Sequence, residues 1–384
     1  MIPLVQNTIT HEEIDALADW LRTHPRLTKG DLCLEFENKW SEFLGCKYSV
    51  FVNSGSSANL IILQSLLETG KLKKGDKVIV PSVSWATDVA PVVQLGLEPV
   101  LCDCNLTNLS VELNMLQDLI TKHNPKALIL VSVLGLVPNM PAVVEICEKY
   151  NVLLLEDACE SFGSKYNGKN LGTFGFMSSF STFFGHHLST IEGGMVCTDD
   201  VDMYNMLKCV RSHGWGRDLD KPYHDNLKKN IDPFQSLYTF YHMGFNVRAT
   251  DLQAFLGINQ IKKAKEVVRI RNDNYNLYNS MTQDLEWVSQ PSNNTTYVSN
   301  FAYPVIHRNR NKVVEKLLQA EVQTRPLICG SIGRQPFWVK RFGESRHTNA
   351  DFVHDYGLYL PNNGDITKDE IKFICSLITK GEEK

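Results

Sequence analysis

Residues 48–67 read YSVFVNSGSSANLIILQSLL, and this stretch decides the fold. Four of its first five residues are aromatic or β-branched and a turn signal follows, so they read as a strand. From Ser57 to Leu67 the apolar residues continue as a helix. Between the two lies Asn53-Ser54-Gly55-Ser56-Ser57-Ala58-Asn59, a turn with one glycine and several hydroxyls. A dinucleotide-binding turn would read GxGxxG at this place, and this one does not. It offers backbone N–H groups, small hydroxyls and the positive end of a helix, which suit a single phosphate. A serine-rich N-cap that binds nothing would look the same, and the turn alone does not separate these readings.

Outward from this unit the strand–helix alternation repeats. KVIVP (77–81), PVLCD (99–103), ALILVSV (127–133), NVLLLED (151–157), SSFSTFF (178–184) and GMVCT (194–198) bring the count to seven strands. Helical patterns such as Pro141 to Lys149 separate them. Apolar strands without strict alternation, spaced by helices, predict an α/β fold with a mostly parallel sheet covered on both faces. Two helical patterns, His11 to Arg22 and Leu34 to Phe43, precede the sheet. From Asp251 a helical period runs on for about 30 residues without proline. A strand in SNFAYPVI (299–306), a helix from Asn311 to Ala320 and a terminal helix from Lys368 follow. The pattern predicts a large domain over residues 1–255 and a smaller C-terminal α+β domain over 256–384.

Composition narrows the function. The chain has 384 residues, 43% hydrophobic and 21% charged, with a formal net charge of −4. That balance fits a soluble globular protein and favours neither nucleic acid nor an anionic membrane as partner. The start, MIPLVQNTITHEEIDAL, lacks the basic flank and apolar core of a signal peptide. The longest apolar runs fall short of the roughly 20 residues a spanning helix needs. These features predict a cytoplasmic protein. The ten cysteines are scattered, and Cys102 and Cys104 read as alternate positions of one strand. Free buried thiols are expected, with no metal and no iron–sulfur cluster.

Two residues outside the turn carry chemistry. Asp157 ends a buried strand at the edge where ligands of open α/β sheets collect, although an acid there is more often a helix cap or structural ion pair. Trp85, in VPSVSWATD, lies just past another strand end, where an indole would serve either the core or a flat ring. A phosphate cup, an aromatic cover and a buried acid are the parts that hold a pyridoxal-type ring. The acid keeps the pyridine nitrogen protonated and makes the ring an electron sink.

With these pieces in hand, the chain resembles the DegT-type nucleotide-sugar aminotransferase family, within the PLP-dependent aspartate-aminotransferase fold (fold type I). The resemblance covers nearly the whole length. It rests on LCLEFENKWSEFLG, NSGSSANL, GDKVIVPSVSWAT, EDACESFGSKYNGKNLGTFG, STFFGHHLSTIEGGM and GFNVRATDLQAFLG, in the family's order. It implies that Gly55, Ser56, Ser57 and Ser181 hold the cofactor phosphate and that Trp85 stacks on the ring. It implies that Asp157 pairs with the ring nitrogen and that Glu160 stands beside its polar edge, where most members carry glutamine. Asn246 would reach the phosphate from the other subunit, which implies a homodimer with shared active sites.

One departure matters more than the matches. Most members read S-F-x-x-x-K-N-L before a Glu-Gly-Gly turn, and that lysine attaches the cofactor. Five residues after Ser181, and six before Glu192, this chain has His186. An imidazole has no primary amine. A degenerate binding protein is one reading and residual aminotransferase chemistry another. The sharper one is the lysine-less branch, the 4-keto-6-deoxyhexose 3-dehydratases of 3,6-dideoxysugar synthesis, which carry His-His here. Glu160, RSHGWGRD (211–218) and TRPLICGSIGRQP (324–336) also match that branch, and the stretch 218–234 lacks the cysteines of its iron–sulfur type. The resemblance therefore implies a pyridoxamine/pyridoxal phosphate enzyme acting on a sugar of the GDP-4-keto-6-deoxymannose kind, with L-glutamate as amine donor. His186 would be the base and Asp157 the ring's electrostatic partner, with His187 as the alternative base or a structural residue. Arg248 and Arg325 suit the diphosphate or a carboxylate. His213 and Trp215 are further candidates for sugar contact.

Overall fold

The computed structural model describes residues 1–379, so the last five positions of the expected 256–384 domain lie outside the described residues. Seven strands form the central sheet: β1 (Tyr48–Val52), β2 (Lys77–Pro81), β3 (Glu98–Cys102), β4 (Ala127–Val131), β5 (Leu153–Asp157), β6 (Met177–Ser181) and β7 (Gly194–Thr198). Their order is β1-β7-β6-β5-β4-β2-β3. β7 runs antiparallel to both β1 and β6, and the other pairs are parallel. Strands this short and apolar need cover on both faces. Helix Gly55–Glu68, buried along most of its length, packs against β6 and β7.

Boundaries differ from the sequence pattern where local chemistry intervenes. β4 ends at Val131, and Val133–Gly135 turns as a 3₁₀ segment with Leu134 at φ +51°. β6 ends at Ser181, so Thr182–Phe184 belong to the following loop. Cys104 lies past the end of β3, in an isolated bridge with Val111, and does not continue the strand with Cys102. The long helical period from Asp251 is two helices, Asp251–Lys262 and Ala264–Met281. Lys263 marks the break, its ammonium held by the Thr8 carbonyl at 2.7 Å and Glu13 at 3.0 Å. The strand expected in residues 299–306 is confined to Tyr303–Ile306.

Tyr303–Ile306, Gly357–Leu360 and Arg325–Pro326 form a second, antiparallel sheet in which Gly357–Leu360 is central. Helix Ala264–Met281 packs against the terminal helix Lys368–Thr379 beside it. No helix among the described residues is long and apolar enough to cross a membrane.

Two buried polar links fix the framework around β1. Glu37 accepts from Phe51 N at 2.8 Å and from Arg211 Nη1 at 2.6 Å, and Arg211 also donates to the Phe51 carbonyl at 2.8 Å. The second link caps helix Asp31–Leu44, whose N-cap Gly30 has no side chain to offer. Asp251 supplies the acceptor from 220 residues away, taking Gly30 N at 2.8 Å and Cys33 N at 3.0 Å. Asp251→Ala would strand these donors, at about 1–3 kcal/mol. Chemical denaturation should show the loss as a lower midpoint with unchanged slope, while Asp251→Asn, which keeps an acceptor, retains most of the stability.

Candidate active site

Three strand ends converge on Gly194. It pairs with Val52 on one side and Ser181 on the other, and a Cβ there would lie 2.3 Å from the Ser54 carbonyl. Only glycine lets the turn after β1 sit directly on the start of β7. Gly55 is equally constrained, since a Cβ would meet Ser181 Cβ at 2.8 Å and Cys159 Sγ at 3.0 Å. Ser54 caps the helix by accepting from Ser57 N at 3.0 Å. The first N–H groups of a helix have no intrahelical acceptor. Gly55, Ser56 and Ser57 thus open the helix beside Ser181, and this cradle of free N–H groups with hydroxyls at a helix start suits an anion such as phosphate.

Asp157 stands at the C-terminal end of β5, in register with Ser179 of β6. Its carboxylate accepts from Asn59 Nδ2 at 2.6 Å and from Cys159 N at 2.9 Å. Asn59 also donates to Asp88 at 3.3 Å, and Asp88 caps its own helix by accepting from Trp85 N at 3.1 Å. Asp88 is fully buried, and burial together with the neighbouring Asp157 charge holds its carboxyl well above the usual range. Glu160 accepts from Leu134 N at 2.7 Å. Burial, with Asp157 adding to it, pushes Glu160 up to about 8. Carboxyls crowded in this way keep protons because like charges repel at low dielectric. Glu156, next to Asp157, points elsewhere and accepts three N–H groups from Gly172, Phe174 and Gly175, a structural role.

The loop 182–193 is folded on itself. Thr182 and Thr190 share a side-chain hydrogen bond, Phe184 N donates to Ile191 O at 3.0 Å, and His186 N to Phe183 O at 2.9 Å. The two histidines part here. His187 is buried, its Nε2 donating to the Ser299 carbonyl at 3.0 Å. His186 is half-buried, its ring 5.1 Å from that of Phe301. Its Nδ1 is sealed from solvent without a close partner among the described residues, and the Cys159 backbone lies beside the ring. Burial first, then the Arg271 guanidinium, lower His186 to about 4 against the opposing pull of Asp157. A neutral imidazole results, in place of one roughly a quarter charged at neutral pH.

Trp85 is 56% exposed at the end of β2, with its indole free to cover a ring. Arg325 lies opposite Tyr359 in the second sheet, and Tyr359 senses both Arg325 and Glu160. The remaining candidates are elsewhere on the chain. Asn246 is exposed and bridged to Ser212, with no hydrogen bond to the cradle among the described residues. Arg248 is bridged to Val52 at the end of β1, while its side chain and Trp215 line a cleft with Arg26, Lys29 and Arg217. His213 is exposed with φ +64°, its ring against Phe240. The sequence reading missed Asn59, Asp88 and Arg271. Asn59 was within reach, since it follows Gly55 by one helical turn and shares its face.

Comparison with known proteins agrees with this geometry. The sequence profile of the DegT/DnrJ/EryC1/StrS aminotransferase family matches residues 7–379. The GDP-4-keto-6-deoxy-D-mannose 3-dehydratase of Yersinia pseudotuberculosis is 34% identical over 388 aligned positions, covering 98% of each chain. The structure of the E. coli GDP-4-keto-6-deoxy-D-mannose 3-dehydratase with bound hydrated PLP superposes with a TM-score of 0.91 at 32% identity, over 98% of this chain and 99% of that one. A structure of such a dehydratase with a trapped PLP–glutamate geminal diamine superposes at 0.90 with 31% identity, over 98% and 100% of the two chains.

The Glu160 carboxyl gives a test without substrate. Its folded value lies above its ordinary 4.5, so its contribution to stability is complete at low pH and is lost as pH rises from about 4.5 to about 8. Glu160→Gln keeps an acceptor for Leu134 N without an ionisable group. Thermal unfolding across that range should fall less with pH in Glu160→Gln than in the parent protein, and parallel curves would contradict the assignment.

Proposed function

The chain belongs to the DegT/DnrJ/EryC1/StrS aminotransferase family, and from that premise we propose that it is a PLP/PMP-dependent sugar 3-dehydratase. It removes the C3 hydroxyl of a nucleotide-linked 4-keto-6-deoxyhexose and leaves a 3,6-dideoxy-4-keto sugar, with L-glutamate restoring the amine form of the cofactor. The substrate we assign is GDP-4-keto-6-deoxymannose, the sugar named for the dehydratases above. The observation that carries the reading is His186, which stands where transaminating members keep the lysine that attaches the cofactor. An imidazole there can move protons but cannot form the covalent link, which disfavours the aminotransferase reading. A cradle and an anchored carboxylate kept together disfavour the non-catalytic one.

When bound, pyridoxamine phosphate supplies an amine for the C4 carbonyl and a ring that stores electrons. The chain supplies the rest. Gly55, Ser56, Ser57 and Ser181 hold the phosphate, and Trp85 covers the ring. Asp157, fixed by Asn59 and the Cys159 N–H, holds the proton on the ring nitrogen. Glu160 stands at the polar edge. We assign the resting proton of His186 to Nδ1, which leaves the Nε2 lone pair facing the cleft. His186 takes a proton at Nε2 and, as an imidazolium that burial makes acidic, readily passes one to the departing C3 hydroxyl. Arg325, near Tyr359, is placed to meet the substrate from the second sheet.

The site is completed in a homodimer, and residues 1–255 and 256–384 act as its cofactor-binding and smaller domains. Phe234, Leu237, Tyr238, Phe240 and Met243 are each more than half exposed on the stretch after Trp215. So large an apolar strap needs cover, and a second copy supplies it. Asn246, Arg248, His213 and Trp215 lie on or beside this strap and would serve the partner's cleft. Ten free thiols fit a reducing, cytoplasmic compartment.

The product decides the reaction. With the 4-keto-6-deoxy nucleotide sugar and glutamate, the product should lack one oxygen and gain no nitrogen by mass spectrometry. Gain of an amino group would instead mean transamination. His186→Asn should lower turnover by about 10²–10⁴-fold while cofactor binding survives; near-normal turnover would remove His186 from the mechanism.

The shared site has its own test. Asn246→Ala and Asp157→Ala homodimers should each be impaired, and mixing them under conditions of subunit exchange should restore activity. Exchange without recovery would refute sharing.

A further inference from the structure

Arg271, in helix Ala264–Met281, is 3% exposed, and no carboxylate among the described residues pairs with it. Its Nη1 lies within hydrogen-bond distance of three backbone carbonyls, Asn300 at 3.2 Å, Phe301 at 2.8 Å and Asn362 at 2.5 Å, which share its two N–H bonds. The wall it binds is the one the histidines lean on. Ser299 accepts from His187, and the Phe301 ring lies against His186. Burying a guanidinium without a counter-charge is expensive, and the cost lowers Arg271 itself to about 10.

A clamp alone would not need that charge. The neighbours that bind the same segments are neutral. Asn272 donates to the Val298 carbonyl, Asn274 to Asn362 and Asn363, Asn362 to the Arg271 and Asn300 carbonyls, and Tyr278 to the Pro361 carbonyl. Amides and hydroxyls carry out this bonding at lower desolvation cost. The single cation among them stands behind the histidine pair.

We propose that Arg271 is the positioning residue of the base, clamping the backbone wall on which His186 and His187 rest and placing a positive charge behind it. The charged and titratable groups that face His186 are Arg271 from its helix, Asp157 from β5 and His187 from its own loop. Burial disfavours the imidazolium most, Arg271 adds to that effect, and Asp157 opposes both. An uncharged ring is the one form able to accept a proton. This inference rests on the reading of His186 as base, so it is tested on the imidazole itself and not through turnover.

The experiment is an NMR pH titration of histidine-labelled, PLP-loaded protein, with the His186 signal identified by its loss in His186→Asn. In the parent protein the ring should stay neutral well below the ordinary histidine range. Arg271→Gln, which keeps donors but no charge, should move the titration up by at least about half a pH unit. Arg271→Lys, which keeps the charge but not the fork, should titrate like the parent. An Arg271→Gln titration that coincides with the parent's overturns the proposal and leaves Arg271 as a clamp. Should Arg271→Gln fail to fold, the lysine variant decides, because a shift of its titration toward the ordinary value would show that the charge is not what acts.

Discussion

The carboxylate of Asp157 is the constraint around which the cleft is arranged. A negative charge at a buried strand end must be solvated by the protein, and Asn59 and the Cys159 N–H do so at 2.6 and 2.9 Å. Burial makes Asp88 and Glu160 hold their protons more tightly, and the Asp157 carboxylate adds to the effect at both. Asn59 links the parts, since it touches both Asp157 and Asp88 and rides on the helix that begins at the phosphate cradle.

Backbone contacts set the cradle itself. β7 enters the sheet between β1 and β6, and Gly194 is where all three meet. With no Cβ there, the Ser54 carbonyl approaches β7 as closely as packing allows, and Gly55 does the same against Ser181 and Cys159. The loop before β7 inherits this rigidity. Its Thr182–Thr190 and Phe184–Ile191 hydrogen bonds fix the path between Ser181 and Gly193, and with it the backbone position of residue 186. The backbone decides the place, and the residue placed there decides the chemistry.

Much of this was legible in the chain. The strands were readable because buried parallel strands are short continuous apolar runs, and the serine-rich turn does cap its helix, through Ser54. His186 was found by counting from Ser181 and Glu192, because the loop length is fixed. What escaped was non-local. No spacing announces that Asp251 caps a helix beginning at Asp31, or that Arg271 binds carbonyls at 300, 301 and 362. The depressed basicity of His186 was equally hidden, because it follows from burial and from a guanidinium brought from 85 residues away. The break at Lys263 escaped because helical periodicity runs straight through it, while the contacts that end the first helix come from Thr8 and Glu13.

The histidine and the charge behind it belong to one electrostatic argument. A cation beside a basic nitrogen lowers that nitrogen's affinity for protons whether it belongs to an imidazole or to an amine. At position 186 a lysine in the same field would be driven toward its neutral form, in which an amine is a nucleophile. A histidine is driven toward its neutral form, in which an imidazole is a base. The wall of carbonyls held by Arg271 therefore need not change when the residue in front of it does. Exchanging the amine for an imidazole removes the covalent link to the cofactor and leaves in its place a group that moves protons. That exchange accounts for the loss of the covalent link, and Glu160, where most members carry glutamine, alters the charge on the other side of the same site.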